Sequence, residues 1–191
     1  MLYPLLVFVH VASAMGLFAA IGIETVALRG LRRETTPAGA RASLDLFGIA
    51  SRTGLVSMLV TLSAGIGLMI TAWHRQPWIT AAFIGMVLMA ASGGIVSGRR
   101  LRRLRASLAG ETGPQLSVSF TQARSSAALV ASLLVRIAIS TGIVGLMTVK
   151  PDAAGSALIL SVAALAGVVI SIPVWFGRRE GEPSAAPSVG V

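Results

Sequence analysis

The sequence predicts an all-α fold, a polytopic membrane helical bundle with five transmembrane helices, its N-terminus outside and its C-terminus in the cytoplasm. Three observations lead there. Five runs, at about residues 4–28, 53–73, 78–98, 127–149 and 154–176, are each long and apolar enough to cross roughly 30 Å of hydrocarbon at about 1.5 Å per residue. The composition is 54% hydrophobic and 12% charged, with a mean hydropathy of +0.82, whereas soluble domains carry about 25% charged residues. The net charge of +9 is concentrated in short clusters between the runs rather than in a stripe, which argues against a nucleic-acid partner and for anionic lipid headgroups.

The first run opens the chain. It is longer than a signal-peptide core and no basic segment precedes it, so it reads as a retained helix. Arg29, Arg32, Arg33 and Arg41 follow it, whereas only Arg75 separates the second run from the third. Arg99, Arg100, Arg102, Arg103 and Arg105 follow the third run, Lys150 the fourth, and Arg178 and Arg179 the fifth. The positive-inside rule places every arginine cluster in the cytoplasm, consistent with multi-pass insertion in a bacterial inner membrane. Tyr3, Trp73 and Trp78 then lie at the outer interface and Trp175 at the inner one. The connection "HRQP" is short enough to make runs two and three antiparallel neighbours. In the third loop Leu101, Leu104 and Leu108 recur at helical spacing, a helical extension able to grip acidic phospholipid or simply to set topology. Ala90, Gly94 and Gly98 form a small-residue ridge suited to close helix approach, within the chain or in a homodimer. Residues 177–191 read as a disordered cytoplasmic tail.

Polar residues inside the runs carry whatever chemistry the chain has. Arg136 lies near mid-depth in the fourth run, with Ser132 and Ser140 on its face and Ser125 and Thr121 further back on the same stripe. Even the lenient insertion scale puts such a charge at about 2.5–3.5 kcal/mol, so this face must turn inward. Glu24 is the only acid within a run; it is expected to form a structural ion pair with Arg52, where the first and second helices meet near the cytoplasmic boundary. Arg136 would then need serines, carbonyls, water or a bound anion such as a cofactor propionate or lipid phosphate.

His10 and Glu24 share one helix face, about 21 Å apart along it. His10 and His74 would lie roughly 12–13 Å apart across neighbouring helices, a separation able to flank haem iron. Met69, Met86 and Met147 also fall in the outer third, so His10 with thioethers is a second candidate set for haem iron or Cu(I). The ordinary alternative is a hydrogen-bonded His10, an interfacial His74 and methionines that fill gaps. No cysteine is present, which excludes disulfides, thiolate catalysis and iron–sulfur ligation. No HExxH, phosphate-binding glycine loop or intramembrane Asp occurs either.

"LLVFVHVASAMGLFAAIGIE", "SRTGLVSMLVTLSAGIGLMITAW", "PWI" and "GRRLRRLR" together resemble a family of uncharacterised bacterial integral membrane proteins related to CopD, over roughly residues 1 to 150. The resemblance implies a compact helical bundle. In the wider CopD-like group some members are associated with copper uptake and others bind haem through a histidine in an early helix, onto which His10 maps. This chain departs from CopD in having fewer spans and no second mid-helix histidine. The leading expectation is therefore a small inner-membrane haem- or metal-binding redox protein. His10 would be axial ligand to haem b, with His74 or a methionine opposite and Arg136 on a propionate; copper is the other candidate. Two further expectations are a non-enzymatic accessory or assembly subunit that docks a membrane partner, and a small-solute carrier using Arg136 and Glu24.

Overall fold

The computed structural model describes residues 1–111 and 113–176, with side chains up to Pro173. The expected tail at 177–191 and the interfacial Trp175 side chain lie outside the described residues. Among those described there are only helices: α1 (Leu2–Arg33), α2 (Pro37–Leu68), α3 (Pro77–Ala91), α4 (Gly98–Ala109), α5 (Val118–Arg124), α6 (Ala127–Val149) and α7 (Ala153–Phe176). Two π-helical turns, Met69–Trp73 and Ser92–Ser97, extend α2 and join α3 to α4. Five continuous helical stretches are long and apolar enough to span a membrane. Their outer faces carry exposed Phe8, Val11, Leu59, Ile66, Val87, Leu158, Val162 and Leu165, the pattern of helices solvated by acyl chains.

The arginine-bearing segment after the first run is not a loop. α1 and α2 are 32 residues each, about 48 Å of helix, and run past the membrane thickness before turning within Glu34–Thr36. Thr36 caps α2 by accepting the Gly39 N–H at 3.2 Å, with Pro37 in the first turn where its missing donor costs nothing. The turn is clamped from α5: Arg124 Nη1 donates to the Leu31 carbonyl at 2.9 Å and to that of Glu34. Around it Leu31, Leu44, Phe47, Leu101, Leu104, Leu108 and Phe120 form part of one buried core. The leucine face of α4 is thus committed to protein and is not free to lie on a membrane. Its arginines brace neighbours instead: Arg100 donates to Ser126 Oγ at 2.5 Å and Arg105 to the Leu44 carbonyl at 2.8 Å.

α1 and α2 form one antiparallel hairpin and α6 and α7 another, and α3 packs on the second. A Cβ at Gly167 would lie 2.7 Å from the Val135 Cα, so the α6–α7 approach depends on a missing side chain. At the opposite end from the arginines, Trp73 and Trp78 meet edge to face at 5.6 Å, and Lys150 Nζ sits 4.0 Å above the Trp73 ring. Trp78 is buried with Ile79 and Leu146. Although the connection after His74 is short, α3 turns away toward α6 and α7. Runs two and three meet at Trp73 and Trp78, and at the arginine-rich end α2 meets α4. The Ala90–Gly94–Gly98 ridge consequently faces a gap, not a helix.

Candidate functional site

The α1 face predicted to be polar does meet α2, but the partner of Glu24 differs from the expectation. Glu24 Oε1 accepts from Ser51 Oγ at 2.6 Å, and Glu24 Oε2 pairs with Arg136 Nη2 at 2.5 Å. Arg52 is exposed and makes no ion pair among the described residues. The correction is one of helical phase: at about 100° per residue, the stripe Phe47, Ala50, Gly54 and Thr61 that α2 buries brings Ser51 toward α1 and turns Arg52 aside. Arg136 is 9% exposed and Glu24 3%, so the ion pair sits among protein groups and joins the first, second and fourth runs as one polar interior.

α3 prepares a seat for Arg136. Its helix widens into the π turn Ser92–Ser97 where α6 docks; such turns mark places at which a neighbouring side chain enters a helix. Ser132 Oγ donates to the Ser92 carbonyl at 3.0 Å and lies 3.2 Å from Ser97 Oγ. The guanidinium lies over Gly93, where a Cβ would stand 3.4 Å from Nη1 and 3.5 Å from Cδ. Arg136 Nε is buried without a hydrogen-bond partner. The expected hydroxyl stripe is shorter than its spacing implied: Ser140 bonds back to Ile137, and a break after α5 removes Ser125 and Thr121 from the face.

Beside the pair lies a partly open cleft of about 550 Å³ between α2 and the α3–π–α4 stretch, floored by α1 and Arg136. Leu17, Leu55, Met58 and Met89 line its apolar part, and Arg52, Arg102 and Arg105 its arginine-rich end. Four arginines thus face a single carboxylate, which is already held by one of them.

The histidines lie elsewhere. His10 is half-buried in the α1–α2 seam, where its Nδ1 donates to the Thr61 carbonyl at 3.0 Å. Thr61 Oγ1 in turn lies 2.8 Å from both Ser13 Oγ and the Ser57 carbonyl. The ring packs against Gly65, whose absent Cβ would be 3.3 Å from Cε1. His74 is exposed at the end of the first π turn with φ 54°. It is nine residues beyond Gly65, about 13 Å further along the axis, so the pair is wider apart than the expected separation. Neither histidine lines the cleft. Met69 and Met147 pack around Trp78 and Leu146, and Met86 is buried in α3. Among the described residues no group of three or more His, Asp or Glu is placed to hold a metal.

Sequence reasoning missed Ser51, Gly93 and the rim formed by Arg102 and Arg105. The apolar runs put Glu24 about four residues from the cytoplasmic end of the first and Arg136 about nine from that of the fourth, whereas α1 continues to Arg33, which brings both to one depth. No protein-family model, curated protein or solved structure matches the chain.

Proposed function

We propose that the protein is a membrane-embedded binding protein for an anionic ligand, within the carrier class, seated in a bacterial cytoplasmic membrane with its arginine-rich end inward. The observation that carries this reading is the charge imbalance of the cleft. Glu24 is committed to Arg136, which leaves Arg52 and Arg102 without a counter-charge among the described residues. A concave site with low-dielectric walls and one sign of charge concentrates the opposite ion. The Glu24–Arg136 pair acts as the neutral floor that ties three helices together beneath it. The test is thermal unfolding of the detergent-purified chain with inorganic phosphate, succinate or dodecyl phosphate. A concentration-dependent rise in Tm with at least one anion, abolished in Arg52→Gln/Arg102→Gln, is expected; no shift with any of them refutes the reading.

A second reading, haem b or copper bound through His10, is favoured by the His10–Thr61 hydrogen bond. A fixed Nδ1–H leaves Nε2 as the ligating atom, the arrangement common to metal-bound imidazoles. Haem would supply one-electron transfer there. Arg136 is not free to serve a propionate while Glu24 holds it, and His74 is not opposite His10, so this reading rests on His10 alone. An absorption spectrum, oxidised and then dithionite-reduced, decides it together with elemental analysis. A Soret band lost in His10→Ala supports it, and colourless, metal-free protein from haem-replete cells removes it.

A further inference from the structure

We infer that the cleft holds one acyl chain of an anionic phospholipid, with the lipid phosphate on Arg52, Arg102 and Arg105. This inference rests on the anion-binding reading above and adds the identity of the ligand. Its first support is the zoning of the walls. Along α2, Arg52 precedes Leu55 and Met58; along the antiparallel α3–α4 stretch, Met89 precedes Arg102 and Arg105. Both walls therefore run from apolar to basic in the same direction, and the basic end adjoins the arginine-rich end of the bundle, where headgroups lie. An inorganic anion has no use for the apolar half.

The second support is the way the cleft opens. It faces sideways between α2 and the second π turn, where Leu55, Ala90 and Gly94 are exposed, because α3 packs on α6 and α7. A ligand enters from the bilayer without leaving it. The third is size: at about 30 Å³ for each water- or methylene-sized group, the cleft of about 550 Å³ takes roughly 18 such groups. That accommodates one acyl chain or most of one, and leaves the second chain in the membrane. The fourth is hydrogen bonding. Arg52 and Arg102 make no side-chain hydrogen bond among the described residues, which leaves their guanidinium groups to a ligand oxygen at the cleft's basic end. A phosphate has enough acceptor oxygens for several guanidinium groups at once, unlike a single carboxylate.

The experiment uses the full chain in nanodiscs of phosphatidylcholine containing a minor fraction of phosphatidylglycerol with a diazirine on one acyl chain. Photolysis followed by peptide mapping is expected to concentrate adducts on Met58, Met89 and Ala90. Arg52→Gln/Arg102→Gln should reduce those adducts roughly tenfold or more. Neither of these arginine side chains makes a hydrogen bond among the described residues, so the double variant is expected to fold; Arg52→Lys/Arg102→Lys, which keeps the charge, is expected to retain most of the labelling. Adducts spread over Val144, Leu158 and Leu165 as heavily as over the cleft overturn the inference. If inorganic phosphate raises Tm in an arginine-dependent way while labelling stays indiscriminate, the lipid assignment fails and the anion-binding reading stands. If neither signal depends on the arginines, both fail.

Discussion

Replacing Glu24 by Gln removes the charge facing Arg136 while keeping the side-chain shape and an oxygen for Ser51 to donate to. Arg136 and Glu24 side chains are 11% and 4% exposed, so solvent screening is slight. Two unit charges about 4 Å apart interact by about 4 kcal/mol at an effective dielectric of 20. Orphaning one partner of a buried pair costs about 3–5 kcal/mol in soluble proteins. Glu24→Gln is therefore expected to destabilise the bundle by about 3–4 kcal/mol. Arg136→Gln is expected to cost a similar amount, and the double variant is expected to recover at least about 2 kcal/mol as coupling. Arg52→Gln, the control that distinguishes the observed pair from the one the sequence suggested, should stay within about 0.5 kcal/mol. The assay is SDS-induced unfolding in mild detergent micelles, followed by far-UV circular dichroism. An Arg52→Gln cost equal to that of Arg136→Gln, or coupling indistinguishable from zero, refutes the assignment.

Gly167→Ala is expected to cost about 1–3 kcal/mol in the same assay, because the new methyl meets the Val135 backbone and cannot be accommodated by a rotamer change. Arg124→Gln should cost about 1.5–3 kcal/mol by releasing the Leu31 and Glu34 carbonyls at the end of α1; amide exchange should rise at Glu34–Gly39 before it rises in the spans. His74→Gly is expected to stabilise the chain by about 1 kcal/mol, since φ 54° with ψ −161° strains any residue with a Cβ, and a loss of stability there would show that the imidazole has a partner.

Apolar length was easier to read than rotation about a helix. The five spans and the shared face of His10 and Glu24 followed from apolar length and residue spacing, because both depend only on the helical repeat. The partner of Glu24 did not, since moving from Ser51 to Arg52 turns the side chain by about 100° and no local pattern sets the phase at which α2 docks. Leu101, Leu104 and Leu108 announced a helix but not what would cover them. A leucine stripe satisfies lipid and a protein core equally well, and only the fold of α4 back onto Leu44 and Phe120 decided between the two.

The amino-acid order alone determined that the chain is an all-helical membrane protein with five spans, because the absence of water in hydrocarbon forces each apolar run to satisfy its own backbone. It also determined that Arg136 must turn inward, since no acyl chain can solvate a guanidinium. The identity of its counter-ion, the π turn that receives it and the cleft beside it were decided by tertiary structure. Each depends on how far α3 leans toward α6 and α7 and away from α2, a balance of side-chain packing between segments distant in sequence, for which membrane helices have no hydrophobic driving force to impose a single answer.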